Sequence, residues 1–432
     1  LQEAKLSYLK AIEIKPDYAN AHLNLGTTLK DLGNLQEAKL SYLKAIEIKP
    51  DYAEAYSNLG TILKDLENLK EAEFSFRKAI EIKPHFAEAY CNLGTILNAL
   101  DNMQDAEFSL RKAIEIDPMF EEAKYNLSFI LLKKKNFNEG WVRYESRWKR
   151  KGLKKPVSNS KPEWKSKNGG KVLLWAEQGV GDTVLFSSLI PELVNKVDQL
   201  FIKADKRLIP LFKRSFVKDI TYIDKNDFVD EEFYDYQISM GSLPKIFRPS
   251  NESFNKVSQK VLSADEVKTQ IYRKKLIDSD YKKIIGISWK SKSIMYDKAG
   301  IALEELLSFI YAPDIRFVNL QYGEVKEDIY NAKLKYGVEI FEMEELDNFY
   351  DIDGLSALIN ACDQIITIDN ITAVLAGALG VETRVILNKN SYWPHGIDDI
   401  NSCWFPSIKF YRQIKREEWS RPLIELKNDI KI

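Results

Sequence analysis

A step of 34 residues repeats through the first third of the chain and limits its fold more than any other feature. Prolines, glycines and alanines recur at this step: Pro16, Pro50, Pro84 and Pro118; Gly26, Gly60 and Gly94; Ala4, Ala38, Ala72 and Ala106. Small residues let two helices approach closely, and proline after a helix turns the chain. Repeating units of this length cannot bury their apolar faces alone and must stack.

The period and residue pattern predict tetratricopeptide repeats (TPRs) over residues 1–148. Leu1–Pro16 supplies only a second helix, three full units follow up to Pro118, and a divergent last unit has Ser128 where glycine is expected. We therefore expect that the true N-terminus lies upstream of Leu1. One row of large side chains should fill the space between neighbouring units: Tyr8, Tyr42, Phe76 and Leu110.

A row of asparagines keeps the same step, two positions before the glycine or Ser128: Asn24, Asn58, Asn92 and Asn126. These positions fall on the first helix of each unit, which lines the concave side of a TPR stack. An amide donates to a peptide carbonyl and accepts from a peptide N–H. The row resembles the asparagine ladder of O-linked N-acetylglucosamine transferases, which implies a grip on a polypeptide. Ordinary TPR consensus is the alternative explanation.

Composition narrows the function classes. The formal net charge of −1 over 432 residues gives no reason to expect nucleic acid as a partner. Three cysteines without a CxxC pair and three histidines predict neither a disulfide framework nor a metal site, and they favour a reducing, cytoplasmic location. No apolar run reaches the roughly 18 residues of a membrane span, so no transmembrane segment is expected.

The second part of the chain alternates strands and helices, which predicts parallel, doubly wound sheets. We predict a basic linker over 149–170 and two Rossmann-like halves over 171–270 and 280–432, the latter ending in a helix at Glu417–Lys427. Ligands of such sheets bind beyond the carboxyl ends of the strands.

Three segments that follow predicted strands are therefore candidate parts of a ligand site. Gly179 and Gly181 lie between a predicted strand and helix, where close approach of an anion is possible, and Asp182 there is either a helix cap or a general base. Asn370 and Thr372 begin a helix of small residues, as simple caps or as a diphosphate seat.

Lys290 ends a third strand and could neutralise phosphate, and Gln321 ends the next one. Arg412 and His395 are expected in later loops, and His395 by itself is interpreted as structural rather than catalytic.

The ordered segments LLWAEQGVGD (173–182), VNLQYG (318–323), TIDNITAVLAGALG (367–380) and CWFPS (403–407) carry a resemblance. Together they resemble bacterial TPR-linked glycosyltransferases related to the ADP-heptose:LPS heptosyltransferases. The resemblance covers about 162–425 and implies a GT-B fold, in which two Rossmann-like halves hold a nucleotide sugar. It also implies inversion at the anomeric carbon without a metal or other cofactor.

Within this resemblance Asp182 matches the catalytic base. The donor-binding residues are expected to be Gly179, Gly181, Lys290, Gln321, Asp369, Asn370, Thr372 and Arg412. The sequence departs from the family at Val374, where histidine is common. The predicted function is transfer of a sugar to an acceptor hydroxyl, on a protein held by the TPRs. The alternative is a non-catalytic TPR scaffold with a degenerate GT-B domain, which Val374 favours.

Overall fold

A computed structural model describes residues 1–150, 160–166, 169–278, 280–291, 300–416 and 418–430. Half of the predicted basic linker (151–159 and 167–168) and Glu417 of the predicted last helix lie outside these ranges. The chain divides into two compact units. The repeat unit comprises Leu1–Leu131 and Val142–Leu153, and the sheet unit comprises Leu132–Trp141 and Lys154–Ile432. The predicted domain boundaries stay predictions.

The N-terminal elements are helices joined by short turns. They are α1 (Gln2–Ile14), α2 (Ala19–Asp31), α3 (Leu35–Ile48), α4 (Ala53–Asp65), α5 (Leu69–Ile82), α6 (Ala87–Ala99), α7 (Met103–Ile116), α8 (Glu121–Lys133) and α9 (Phe137–Tyr144). Helices α2 and α3, α4 and α5, and α6 and α7 form the three full units that the 34-residue step predicts.

Close packing inside each unit explains the glycine row. A Cβ added at Gly26 would lie 2.7 Å from Tyr42 Cε1, and one at Gly60 would lie 2.8 Å from Phe76 Cζ. Both distances are shorter than any ordinary carbon contact. Tyr42 and Phe76 therefore pack against the first helix of their own unit. These contacts lie inside one unit, and the expectation that the same row also fills the space between neighbouring units stays a prediction.

The turn inside each unit repeats in its backbone conformation. Gly33, Glu67 and Asp101 have φ values of 80°, 61° and 65°. In the first turn the N–H of Asn34 donates to Leu29 O and the N–H of Gly33 donates to Lys30 O. The N···O distance is 2.9 Å in both hydrogen bonds. This is the Schellman arrangement, which satisfies the last carbonyls of a helix and needs a left-handed residue. Two of the units hold this conformation without glycine.

The sheet unit alternates strands and helices. Its first part contains β1 (Lys171–Trp175), α10 (Val180–Ser187), α11 (Ile190–Val194), β2 (Gln199–Ala204), α12 (Ile209–Ser215), β3 (Ile220–Asp224), β4 (Tyr236–Ser239), α13 (Leu243–Phe247) and α14 (Glu266–Leu276). The second part contains β5 (Lys283–Ser288), α15 (Leu303–Ile310), β6 (Ile315–Asn319), α16 (Lys326–Tyr336), β7 (Ile340–Phe341), α17 (Ile352–Ala361), β8 (Gln364–Ile368), α18 (Ile371–Leu379), β9 (Thr383–Leu387), β10 (Ile408–Arg412) and α19 (Ser420–Ile430).

The strands form two parallel sheets, with orders β3-β2-β1-β4 and β10-β9-β8-β5-β6-β7. The first strand of each sheet lies between later strands, so the strand order reverses beside β1 and beside β5. Crevices at such reversals, beyond the carboxyl ends of the strands, are where α/β sheets bind ligands. The predicted fold class, TPR helices followed by an α/β region with two Rossmann-like sheets, is confirmed.

Two local features differ from the sequence prediction. The helix predicted after Gly181 is two helices, α10 and α11, because Pro191 starts a new helix and cannot donate to the preceding turn. Part of the predicted linker, around Glu163, pairs with Gln237 of β4 and buries Trp164 against Phe247. Among the described residues no helix is long and apolar enough to cross a membrane.

Candidate functional site

A cavity of about 310 Å³ lies in the sheet unit where α10 and α18 begin. Its wall includes Gly181 and Asp182 of α10, Asn370 and Val374 around α18, and residues of two later loops. Both helices follow the carboxyl end of a strand, so the positive ends of their dipoles lie near this cavity. The arrangement favours a ligand that carries negative charge.

Asp182 is held in the first turn of α10 but does not cap it. The cap position is Gly179, which has no side chain, and its carbonyl accepts from Thr183 N at 3.0 Å. Asp182 Oδ1 instead accepts a hydrogen bond of 3.2 Å from the hydroxyl of Tyr392. Within the described part of the chain, Oδ2 has no hydrogen-bond partner. The carboxylate is therefore available to the cavity.

The surroundings of Asp182 change its acidity. Burial raises the pKa of the carboxyl, the bond from Tyr392 lowers it, and the charge of Asp369 raises it further, which together bring the pKa to about 6. A carboxyl group with a pKa in this range accepts a proton readily at neutral pH. Perturbed acids in a crevice are candidates for catalytic bases.

Asp369 has the opposite character although it lines the same cavity. Burial by itself would raise the pKa of its carboxyl, but the charge and hydrogen bond of His395 and the backbone N–H of Tyr392 outweigh burial and lower the pKa. His395 Nε2 lies 2.8 Å from Asp369 Oδ1. The carboxylate of Asp369 thus anchors the loop that carries Tyr392 and His395.

Arg412 holds this loop from the other side. Its guanidinium donates a hydrogen bond to Ser391 Oγ and a second one, of 2.9 Å, to the carbonyl oxygen of His395. Burial lowers the pKa of this group although three aspartates lie near it. Arg412 does not line the cavity. The predicted donor-binding residue is therefore placed where it supports the wall of the site.

Asn370 caps α18. Its Oδ1 accepts from Thr372 N at 2.9 Å, and its Nδ2 donates to Ser288 Oγ at 2.7 Å and to Lys290 O at 3.3 Å. The cap interpretation of Asn370 therefore holds, and the amide also ties the ends of β8 and β5 together. The side chain of Thr372 is fully buried, and its hydroxyl has no partner among the described residues.

Gln321 connects β6 to β5 in a similar way. Its buried Oε1 accepts hydrogen bonds of 2.8–2.9 Å from Ser288 Oγ and from the backbone N–H groups of Trp289 and Lys290. The ammonium of Lys290 pairs with Asp328 of α16 at 2.5 Å and does not line the cavity. Of the predicted site residues, the structure brings Gly181, Asp182, Asp369 and Asn370 into one wall. Gly179, Lys290, Gln321, Thr372 and Arg412 surround it.

Sequence reasoning missed Tyr392 and Trp404. Trp404 lines the cavity, and its buried indole N–H has no hydrogen-bond partner among the described residues. It belongs to the CWFPS segment that carries the family resemblance, so a signal existed. No sequence signal indicated Tyr392, because its hydrogen bond to Asp182 joins residues 210 positions apart.

The asparagine row divides into two groups. Asn24 is exposed, Asn58 and Asn92 are partly exposed, and their amides make no hydrogen bond to any residue that the structure describes. Asn126 instead donates to Thr95 Oγ1 at 3.3 Å. Three of the predicted peptide-binding amides are therefore accessible, and their role stays a prediction.

A metal site was not predicted. In the described ranges, no three His, Cys, Asp or Glu side chains are grouped so that they could hold a metal ion. The metal-free and cofactor-free mechanism stays a prediction.

Comparison with known proteins identifies the repeats. Models described as TPR repeat and tetratricopeptide repeat match residues 1–33, 26–66, 53–86 and 87–120. Among solved structures, MamA is 24% identical with a TM-score of 0.31, covering 34% of this chain and 85% of MamA. YrrB, titled as a TPR protein with an unusual peptide-binding site, is 26% identical with a TM-score of 0.31, covering 33% of this chain and 74% of YrrB.

One curated relative extends beyond the repeats. Protein FlbA of Caulobacter vibrioides is 29% identical over 304 residues, which are 63% of this chain. The chain spans about half, 49%, of the length of FlbA.

The chain is therefore a TPR protein that also carries an α/β region. TPR proteins bind peptide ligands, so a protein-binding role follows for the repeats.

Proposed function

We propose that this protein is an inverting glycosyltransferase that transfers a sugar from a nucleotide-diphospho-sugar to an acceptor hydroxyl without a metal. The observation that carries the proposal is Asp182, a carboxylate with a pKa of about 6 in the wall of a cavity beside the start of α18. The ordered segments that resemble heptosyltransferases supply the donor class. The strand order, with its reversal beside β5, agrees with a ligand in this crevice.

In this mechanism Asp182 accepts the proton of the acceptor hydroxyl while the hydroxyl oxygen forms a bond to the anomeric carbon. The bond from that carbon to the diphosphate oxygen breaks, and its electron pair leaves with the nucleoside diphosphate. The positive end of the α18 dipole stabilises the charge that develops on the leaving group. The protein-bound acceptor is presented by the repeats, with the accessible amides of Asn24, Asn58 and Asn92 as backbone contacts.

A non-catalytic TPR scaffold is the second candidate. Several side chains predicted to bind the donor are committed to internal partners: Lys290 to Asp328, Gln321 to β5, and Arg412 to the loop at 391–396. Val374 stands in the cavity wall, where the resembling family often has histidine. A sheet unit with only a structural role would not need side chains in this wall that are available to a ligand.

The decisive experiment is a thermal-shift screen of the whole chain against nucleoside diphosphates and nucleotide sugars, without added metal. A ligand that binds only the folded chain raises its melting temperature. A shift with one nucleotide family supports the transferase and identifies the donor for assays with Asp182→Asn, which should lose turnover while still binding nucleotide. The absence of any shift across the panel, in a folded chain, would favour the scaffold.

A further inference from the structure

The loop at 391–396 links two carboxylates of opposite acidity in one cavity. The hydroxyl of Tyr392 donates a hydrogen bond of 3.2 Å to Asp182 Oδ1, and His395 Nε2 lies 2.8 Å from Asp369 Oδ1. Arg412 binds Ser391 and the carbonyl of His395, so the loop is held at both ends. The loop therefore fixes the position of the Tyr392 hydroxyl before any ligand arrives.

The bond from Tyr392 has a geometric consequence for Asp182. A carboxylate turns freely about its last torsion unless one oxygen is engaged. With Oδ1 engaged by Tyr392, Oδ2 is left without a partner among the described residues and is the oxygen that can accept a proton. We propose that Tyr392 is a positioning residue, which holds Oδ1 of Asp182 so that Oδ2 receives the proton of the acceptor. The inference rests on the glycosyltransferase proposed above.

Few other groups compete for control of this carboxylate. Helix α18 and the turn Met240–Ser242, which pack against α10, carry no titratable side chain. Asp369 faces Asp182 as a negative charge, with His395 bound to it, and Glu177 is engaged by the backbone N–H of Gly241 at 3.1 Å. Because Tyr392 is the side chain that donates to Asp182, removal of its hydroxyl should act on Asp182 directly.

The test uses Tyr392→Phe, which keeps the ring and its packing 5.6 Å from the ring of Trp393. Tyr222→Phe is the matched control, because it also removes a tyrosine hydroxyl that donates a hydrogen bond, in this case to Phe212 O at 3.1 Å. The loss of one hydrogen bond to the ionised form should raise the pKa of Asp182 by about 0.5–1 pH unit, a three- to ten-fold change in proton affinity.

The pKa is measured on the ligand-free chain, from the pH dependence of urea unfolding with and without Asp182→Asn. An upward shift caused by Tyr392→Phe, absent in the Asp182→Asn background and absent for Tyr222→Phe, supports the inference. An unchanged pKa of Asp182 in Tyr392→Phe would overturn it.

The pH profile of kcat/KM is the second readout. Tyr392→Phe should move its acidic limb upward by the same amount as the pKa, and a profile that does not move would also overturn the inference. A shifted pKa in a chain that transfers no sugar from any donor would support the contact and reject the glycosyltransferase, so the two failures are distinguishable.

Discussion

The stability of the sheet unit should depend on pH through Asp182. The folded-state pKa of about 6 lies above the ordinary value of 3.8, so the folded chain binds this proton more tightly than the unfolded chain. The stabilising contribution is complete below 3.8 and is lost as the pH rises through about 6. Above that pH the carboxylate is ionised but still buried, which lowers the free energy of unfolding.

Asp182→Asn removes this cost because the amide is neutral and its oxygen still accepts from Tyr392. At about 1.4 kcal/mol per pH unit, the full penalty in the parent chain is about 3 kcal/mol. Between pH 4.5 and 8, the free energy of unfolding of the variant relative to the parent should rise by about 2 kcal/mol. The variant is thus more stable than the parent by about 3 kcal/mol at pH 8 and by about 1 kcal/mol at pH 4.5.

Urea unfolding followed by tryptophan fluorescence measures this difference. Seven of the eight tryptophans lie in the sheet unit, so the signal reports on that unit. An advantage of Asp182→Asn that is the same at both pH values would refute the reasoning, because it could not come from ionisation.

Asp205→Asn is the control. Hydrogen bonds from Arg207 hold the pKa of Asp205 below its ordinary 3.8, so its stabilising effect is lost only below that pH. This variant should be destabilised equally at pH 4.5 and 8.

Three further predictions concern the repeats, each measured by the unfolding of helices in circular dichroism. Gly60→Ala should destabilise the array by about 1–3 kcal/mol, because its Cβ would lie 2.8 Å from an aromatic ring of the next helix; an unchanged midpoint would show that the ring can move aside. Gly33→Ala should cost about 1 kcal/mol in its left-handed turn, whereas Glu67→Ala, which starts from a side chain in the same conformation, should be nearly neutral; equal effects would contradict the strain argument. Asn58→Ala should leave stability within about 0.5 kcal/mol and weaken peptide binding, whereas Asn126→Ala should lose about 0.5–1.5 kcal/mol with its hydrogen bond to the preceding unit; a stability loss at Asn58 would indicate an internal role for that amide.

Some residues of the candidate site could be found from the sequence because they follow strands. Asp182 and Asn370 each stand at the start of a helix that follows an apolar strand, and the chain direction of a parallel sheet brings such turns to one edge. The same rule selected Lys290 and Gln321. It could not tell that their side chains bind the neighbouring strand and α16 in place of a ligand, because both uses need the same polar residue at the same position.

The sequence by itself determined the TPR array and the α/β class. Periodicity arises from contacts between residues close in the chain, so a 34-residue step and alternating apolar runs are visible without coordinates. Tertiary structure alone decided that the pKa of the Asp182 carboxyl is raised while that of the Asp369 carboxyl is lowered. Asp182 and Asp369 are the same residue type, and both line the cavity near the start of a helix that follows a strand. The burial of each carboxyl and the different partners that the loop at 391–396 offers them, Tyr392 to Asp182 and His395 to Asp369, separate their pKa values. Such bonds depend on the path of the folded chain and leave no local pattern in the sequence.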